Sequence, residues 1–365
     1  MFLSYLRSCS SEKAFSWLNF QMMQTRNTRW SIVTAALNQK RSGRNFHAFA
    51  ILKTAVFLGL FLHFCSIGVV AQESEQDVSF QRQNDRVLVL LGQGAEQKLF
   101  AEYRNQGLAK PVLYPVMAPG QVPITRHFPM DDTHADEAQD HPHHKSIWFA
   151  HGDVNGLDYW TEKATIENKS VELRDDGSLV STNAWLSKKG EPICSDVTVI
   201  RFSAGDDWRL IDYEVTLEAI DDIVLGDTKE GTFAVRTHPA LRLVGKDKKA
   251  TEASAVNSVG TQGKAIWGQA AAWVHYAGQI DQSPYSITVM DHPQSLRHPT
   301  TWHAREYGLV AANPFGLSYF QKAAKNAGDL TLKRGEKCTF RYGVYLHLGK
   351  LEASQVEEVY QRYAR

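Results

Sequence analysis

Residues 208–219 read Trp-Arg-Leu-Ile-Asp-Tyr-Glu-Val-Thr-Leu-Glu-Ala. Ile211, Tyr213, Val215, Leu217 and Ala219 alternate with Asp212, Glu214, Thr216 and Glu218. Successive side chains of an extended chain point to opposite faces, so the pattern predicts a strand with one buried and one wet face. A helix would scatter the same apolar groups around its circumference. Residues 339–348 repeat the pattern and place Phe340, Tyr342, Val344, Leu346 and Leu348 inward. Further strands are predicted at 86–91, 111–116, 165–173, 178–186, 196–202, 232–237, 271–276 and 285–290. Turn text such as Asp175-Asp176-Gly177 and Arg334-Gly335-Glu336 separates them. Only 352–365 reads as a helix, with Ala353, Val356, Val359, Tyr360 and Tyr363 on one face. Many short strands with little helix predict an all-β antiparallel sandwich, and no fixed-period repeat supports a propeller.

The first 71 residues differ from the rest. Residues 55–70 are apolar, broken by Gly59, His63, Ser66 and Gly68. Basic residues Arg41, Arg44 and Lys53 precede this run, and Val69-Val70-Ala71 closes it. This is the pattern of a signal peptide cleaved between Ala71 and Gln72, which predicts an exported protein, periplasmic or extracellular. The alternative is an anchor formed by uncleaved 55–70, near the lower length limit for a span. The expected organisation is a leader over 1–71, a linker over 72–85 and one β domain over 86–365.

The whole chain balances 40 basic against 40 acidic residues, but the portion after Ala71 holds 32 basic and 39 acidic, a net of −7. No basic block remains, which argues against nucleic acid as a partner. After processing, no apolar span remains, and a small-molecule substrate is expected instead. Cys194 and Cys338 remain after the leader; both lie in strand-like text, and no CxxC spacing exists.

Six of the fourteen histidines fall between His127 and His151. At the centre stands Asp140-His141-Pro142-His143-His144-Lys145, with Trp148, Phe149, Tyr159 and Trp160 close behind. Histidine titrates nearest neutrality and is the commonest metal ligand. The cluster therefore points to acid–base work, to a metal, or to a polar ligand beside aromatic rings. Three more segments carry chemistry: Gly226-Asp227-Thr228-Lys229-Glu230-Gly231 leading to Arg236 and His238; Arg297-His298-Pro299-Thr300-Thr301-Trp302-His303-Ala304-Arg305; and Tyr307–Gly316. Adjacent His143 and His144 would face opposite sides of a strand, whereas Arg236 and His238 would share a face. His141, His143 and Asp140 form a possible set for a divalent metal, since His-x-His places two rings on one face. No Gly-x-Ser-x-Gly elbow, phosphate loop or dinucleotide fingerprint occurs.

The run from His141 through Trp148, His151-Gly152-Asp153-Val154-Asn155-Gly156 to Asp158-Tyr159-Trp160 resembles exported bacterial proteins of the methane oxygenase PmoA-like family. Asp227-Thr228-Lys229-Glu230-Gly231 and Arg297–His303 extend the likeness, which covers about 85–348. The resemblance implies a galactose-mutarotase-like antiparallel β supersandwich with a short C-terminal helix. By analogy with enzymes of that fold, it implies a saccharide substrate held on a concave sheet. Glu230 or Asp227 would be the base, and His143, His144 or His238 the acid. Arg236, Arg297, His303 and Arg305 would bind substrate, and Trp148, Trp160 and Trp302 would stack on sugar faces. An epimerase, lyase or hydrolase fits this picture. The alternatives are the metal-dependent oxidoreductase (Cu, Fe or Zn) that the family label implies, and a sugar-binding module without catalysis.

Overall fold

A computed structural model describes residues 75–134 and 137–365. The predicted leader lies outside the described residues. Two large antiparallel sheets face each other. In spatial order the first contains Val78–Arg82, Arg86–Leu91, Lys98–Arg104, Val112–Ala118, Ile147–Phe149, Phe233–Arg236, Leu309–Asn313 and Thr301–Ala304. Val122–Pro123 adds to Val112–Ala118 at its side. The second runs Ser254–Asn257, Trp273–Ile280, Ser283–Asp291, Lys337–Leu348, Trp208–Ala219, Pro192–Ala204, Ser178–Leu186 and Ile166–Leu173. A small ribbon pairs Ile223–Leu225 with Leu330–Leu332. This is the all-β antiparallel sandwich that the alternation predicts.

The alternating strands do what their pattern demands. Ile211, Tyr213, Val215 and Leu217 are buried, while Glu214, Thr216 and Glu218 are half-exposed. Across the interface, Phe233 meets Tyr342 at 4.9 Å and Tyr213 at 5.1 Å between ring centroids, and Phe149 meets Phe340 at 5.2 Å. Such aromatic pairs add about 0.5–1.5 kcal/mol each beyond the area they bury. On the far side of the second sheet, Trp273, Met290 and Tyr345 form a separate apolar cluster with Val356, Val359 and Tyr360 of the helix Ala353–Tyr363. The helix buries an otherwise wet face, which explains why Tyr345 is buried although it lies out of phase with Phe340 and Tyr342.

Some expectations are corrected. Leu348 is exposed at the strand end rather than inward, and Ala353 is exposed where the helix begins. The expected linker contributes the edge strand Val78–Arg82, paired with Arg86–Leu91. Cys194 and Cys338 are buried free thiols. They stand on strands to either side of Trp208–Ala219.

A polar network interrupts the core of the second sheet. Asp196 accepts from Asn183 Nδ2 at 2.8 Å, Trp185 Nε1 at 2.7 Å and Thr198 Oγ1 at 2.7 Å. Burial raises its pKa, and these hydrogen bonds oppose the shift. Replacing Asp196 with Ala strands three buried donors, so we expect a loss of about 2–4 kcal/mol, measured by urea unfolding. Asp196→Asn should cost less, because it still offers one acceptor oxygen.

Candidate active site on the outer face of the first sheet

Phe149 and Phe233 point into the sandwich, so alternation turns Trp148 and Ala234 to the opposite face. The register pairs Ala234 with Trp148 on one side and with Ala311 on the other, and Ala311 with His303. Paired residues share a face. Trp148, Ala234, Ala311 and His303 therefore lie in a row across four strands, with Arg236 one step along. Both alanines are wholly buried, so other side chains cover this row.

The loop bearing the histidine cluster is laid over this face by buried charge. Arg126, 1% exposed, donates to the carbonyls of Ala138, Asp140, His141 and His144, and to Asp140 Oδ1 at 2.6 Å. Arg236, wholly buried, donates Nη2 to the same carboxylate at 3.0 Å. Burial alone would raise the Asp140 pKa. The hydrogen bond to His141 and the charges of Arg236 and Arg126 outweigh it and hold the carboxyl below the usual range. His141 then stacks on Tyr307 at 5.2 Å and on His144 at 4.7 Å, and His144 stacks on Trp148 at 5.4 Å. Arg236 and Arg305 lie over the Tyr307 ring at 4.5 and 5.4 Å.

Glu230 enters from the end of the strand Phe233–Arg236. Its charge is felt by His143, His303 and Tyr307, which puts these groups in one electrostatic neighbourhood. Its carboxylate is paired with the Lys229 ammonium. Two glycines allow the close packing here. A Cβ on Gly152 would stand 2.7 Å from Glu230 Cβ, and one on Gly231 would stand 2.5 Å from His151 Nδ1. His303 Nδ1 lies 2.8 Å from the Lys229 carbonyl. A carbonyl only accepts, so Nδ1 carries the proton and Nε2 presents a lone pair. Burial pushes both His303 and His143 down to about 4, and the Glu230 charge partly offsets this. Both rings are therefore neutral near pH 7.

Other sequence candidates lie elsewhere. His238 sits eight residues from Glu230 along a mostly extended chain, on the order of 20 Å away. Its surroundings are Glu137, His127, Asp281 and Arg242. The structure thus separates His238 from the Glu230 group and does not form the single pocket expected for the two. Asp227 accepts from the backbone of Ser318 and Gly328, which makes it a loop clamp. Arg297 donates to the carbonyls of Pro314, Gly328 and Asp329. Trp148, Trp160 and Trp302 are wholly buried, with no ring face open to a sugar. Trp302 points into the sandwich and donates Nε1 to Ala271 O at 2.8 Å. The set His141, His143 and Asp140 fits a metal poorly. Asp140 Oδ1 is held by Arg126 and Arg236, and Oδ2 by His141 Nδ1 at 2.6 Å.

Sequence reasoning missed Lys110 and Glu162. Lys110, its side chain buried, pairs with Glu162 Oε1 at 2.6 Å and donates to the carbonyls of His143 and Trp160. Burial lowers its pKa to about 8 against the opposing pull of Glu162. Nothing local signals this, because Glu162 is far off in sequence. Tyr307 was legible only as part of a motif.

The depressed histidines set a pH dependence. In the unfolded chain they charge below about 6.5; in the folded chain His143, His151, His238 and His303 charge only near 4. The unfolded state thus binds more protons between these limits, and stability present above pH 6.5 is lost as pH falls through about 4. Chemical denaturation at stepped pH should show this decline, and His303→Asn should make it shallower.

A galactose mutarotase-like protein from Lactobacillus casei is similar at 10% identity and a TM-score of 0.36, over 74% of this chain and 100% of that one. A galactose mutarotase related enzyme from Lactobacillus acidophilus is similar at 10% identity and a TM-score of 0.32, over 75% of this chain and 100% of that one. An alpha-galactosidase from Lactobacillus brevis is similar at 8% identity and a TM-score of 0.29, over 74% of this chain and 40% of that one. No curated protein sequence matches the chain. The model of a family of unknown function, DUF6807, matches residues 93–361, and the chain belongs to that family.

Proposed function

We propose that the protein binds and processes a saccharide on the outer face of the first sheet, by proton transfer between Glu230 and the sugar. The observation that carries this reading is the partly exposed Glu230 carboxylate, paired with the Lys229 ammonium, whose charge acts on His143, His303 and Tyr307. A sugar presents hydroxyls that both donate and accept, and C–H faces that pack on aromatic rings. Lys229 and Arg305 supply donors, Glu230 supplies acceptors, and the half-buried Tyr307 and Trp267 supply ring surface.

The Glu230 carboxylate, partly exposed, takes a hydroxyl proton from the bound sugar. The Lys229 ammonium stabilises the developing oxyanion. The proton then passes from Glu230 to the sugar oxygen that the bond change leaves negative, which restores the carboxylate. The metal-dependent alternative implied by the PmoA-like resemblance would place its ion on Asp140, His141 and His143, where two guanidiniums already hold the carboxylate. Export with cleavage after Ala71 belongs to this proposal and rests on the apolar run 55–70; N-terminal sequencing of the native protein checks it.

Glu230→Gln keeps the shape and removes the charge. In a screen of aldoses, uronates and oligosaccharides, the wild type should convert at least one ligand. Glu230→Gln should still bind that ligand but turn it over about 100- to 10,000-fold more slowly, with little change in Tm. Wild-type turnover in this variant would overturn the assignment. Binding without conversion by the wild type would leave a sugar-binding module instead.

A further inference from the structure

A second polar cluster lies away from Glu230. His127, Asp131 and His134 each bring one donor atom within 4.8 Å of the other two, and among the described residues no other trio of His, Cys, Asp or Glu does so. The loop that carries them is held from below. Met130 N and Asp131 N both donate to His127 O, at 2.8 and 3.0 Å. The Glu137 carboxylate, 2% exposed, accepts from His127 N at 3.1 Å and Phe128 N at 2.8 Å. Thr133 donates twice to Asp131 Oδ1, while Oδ2 lies 3.7 Å from His134 Nε2. The Tyr114 hydroxyl lies 2.8 Å from His127 Nδ1. His127 and Asp131 line a cavity of about 610 Å³, and His127 and His134 a neighbouring one of about 320 Å³.

We propose that His127, Asp131 and His134 form a site for one divalent transition-metal ion, zinc foremost, with open coordination toward the larger cavity. Two imidazoles and one carboxylate suit zinc or a neighbouring transition ion, whereas calcium and magnesium require oxygen donors throughout. Three protein ligands leave a position for water or another ligand, the arrangement of open zinc sites. Donors on arms of about 2.1 Å stand about 3.4 Å apart in a tetrahedron, so closure requires shifts of roughly 1 Å. One rearrangement is necessary. The rings of His127 and His134 are stacked at 3.7 Å and 7°, and in-plane lone pairs of parallel rings cannot meet one ion. The His134 side chain, 41% exposed, turns to supply the second nitrogen. His127 stays fixed by Glu137 beneath its backbone. Tyr114 orients its ring from behind, as the outer partners of metal-bound histidines do.

The test is zinc titration of the full-length protein by calorimetry after chelator treatment, with cobalt absorption as a second probe. The wild type should take up one saturable equivalent and show the intense bands of low-coordinate cobalt. Asp131→Ala and His134→Ala change exposed groups, and circular dichroism verifies their fold. Each should weaken zinc binding at least tenfold, and Tyr114→Phe should weaken it by about 10- to 100-fold. His143→Ala and Glu230→Gln should leave it unchanged, which separates this site from the saccharide reading. Absence of saturable zinc, or wild-type affinity in both Asp131→Ala and His134→Ala, would overturn the proposal. Loss of binding in His143→Ala would overturn it by placing the ion in the other cluster.

Discussion

Two buried guanidiniums and one carboxylate organise the face that the site occupies. Arg126 and Arg236 carry charges that burial makes costly, and Asp140 is the acid they share. Removing one partner of such a set leaves an uncompensated buried charge, typically at a cost of 3–5 kcal/mol. The set also answers a backbone problem. Residues 138–144 form no strand or helix, so their carbonyls need partners from elsewhere. Arg126 supplies donors to four of those residues, and the loop gains one position over the sheet without secondary structure of its own.

That fixed loop makes a stack of rings possible. Tyr307, His141, His144 and Trp148 lie roughly parallel, with Arg236 against the Tyr307 ring. His141, Ser146 and Glu162 hold positive φ values of 47°, 58° and 67° around it. Non-glycine residues keep such conformations only where their surroundings impose them, and such positions concentrate at functional sites. Asp140 holds the His141 ring, Lys110 and Lys145 hold the Glu162 carboxylate, and Thr125 and the Arg236 backbone hold Ser146. Burial lowers the pKa of the enclosed His143 and His144, and the positive frame adds to this, Lys110 acting on His143 and Arg236 on His144.

The sequence reveals strands wherever one face is buried and the other wet, as in Trp208–Ala219. It falls silent where both faces are covered. Every residue of Thr301–Ala304 and Leu309–Asn313 is buried, so no alternation survives, yet these two strands carry His303 and Ala311. Lys98–Arg104 is obscured for a different reason: a register shift opposite Val89 and Leu90 inserts Phe100 as an extra residue, so Phe100 and Ala101 are both buried. At the site, residue type and clustering found Glu230, His143 and His303. They could not separate His238, because Glu230 and His238 lie at opposite ends of one short strand. Sequence proximity there stands for distance in space. Lys110 shows the converse, since its partner Glu162 arrives from across the fold.

The segment 124–146 serves both polar regions through single-residue alternation. Arg126 turns toward Asp140 and the sheet face, while its neighbour His127 turns toward Tyr114. The same division recurs at its far end, where Glu137 accepts from the backbone of His127 and Phe128, and Ala138 accepts from Arg126. Two short pieces of chain are thus cross-tied twice, once beneath each region. A side chain that alters the path at either tie moves both. Arg126 donates to one carbonyl at every step of the opposing piece from Asp140 to His141 and again at His144, so a shift of that piece cannot be absorbed by one broken bond. The geometry around His143 and the geometry around His127 are therefore set by a shared backbone framework, even though their side chains belong to different clusters.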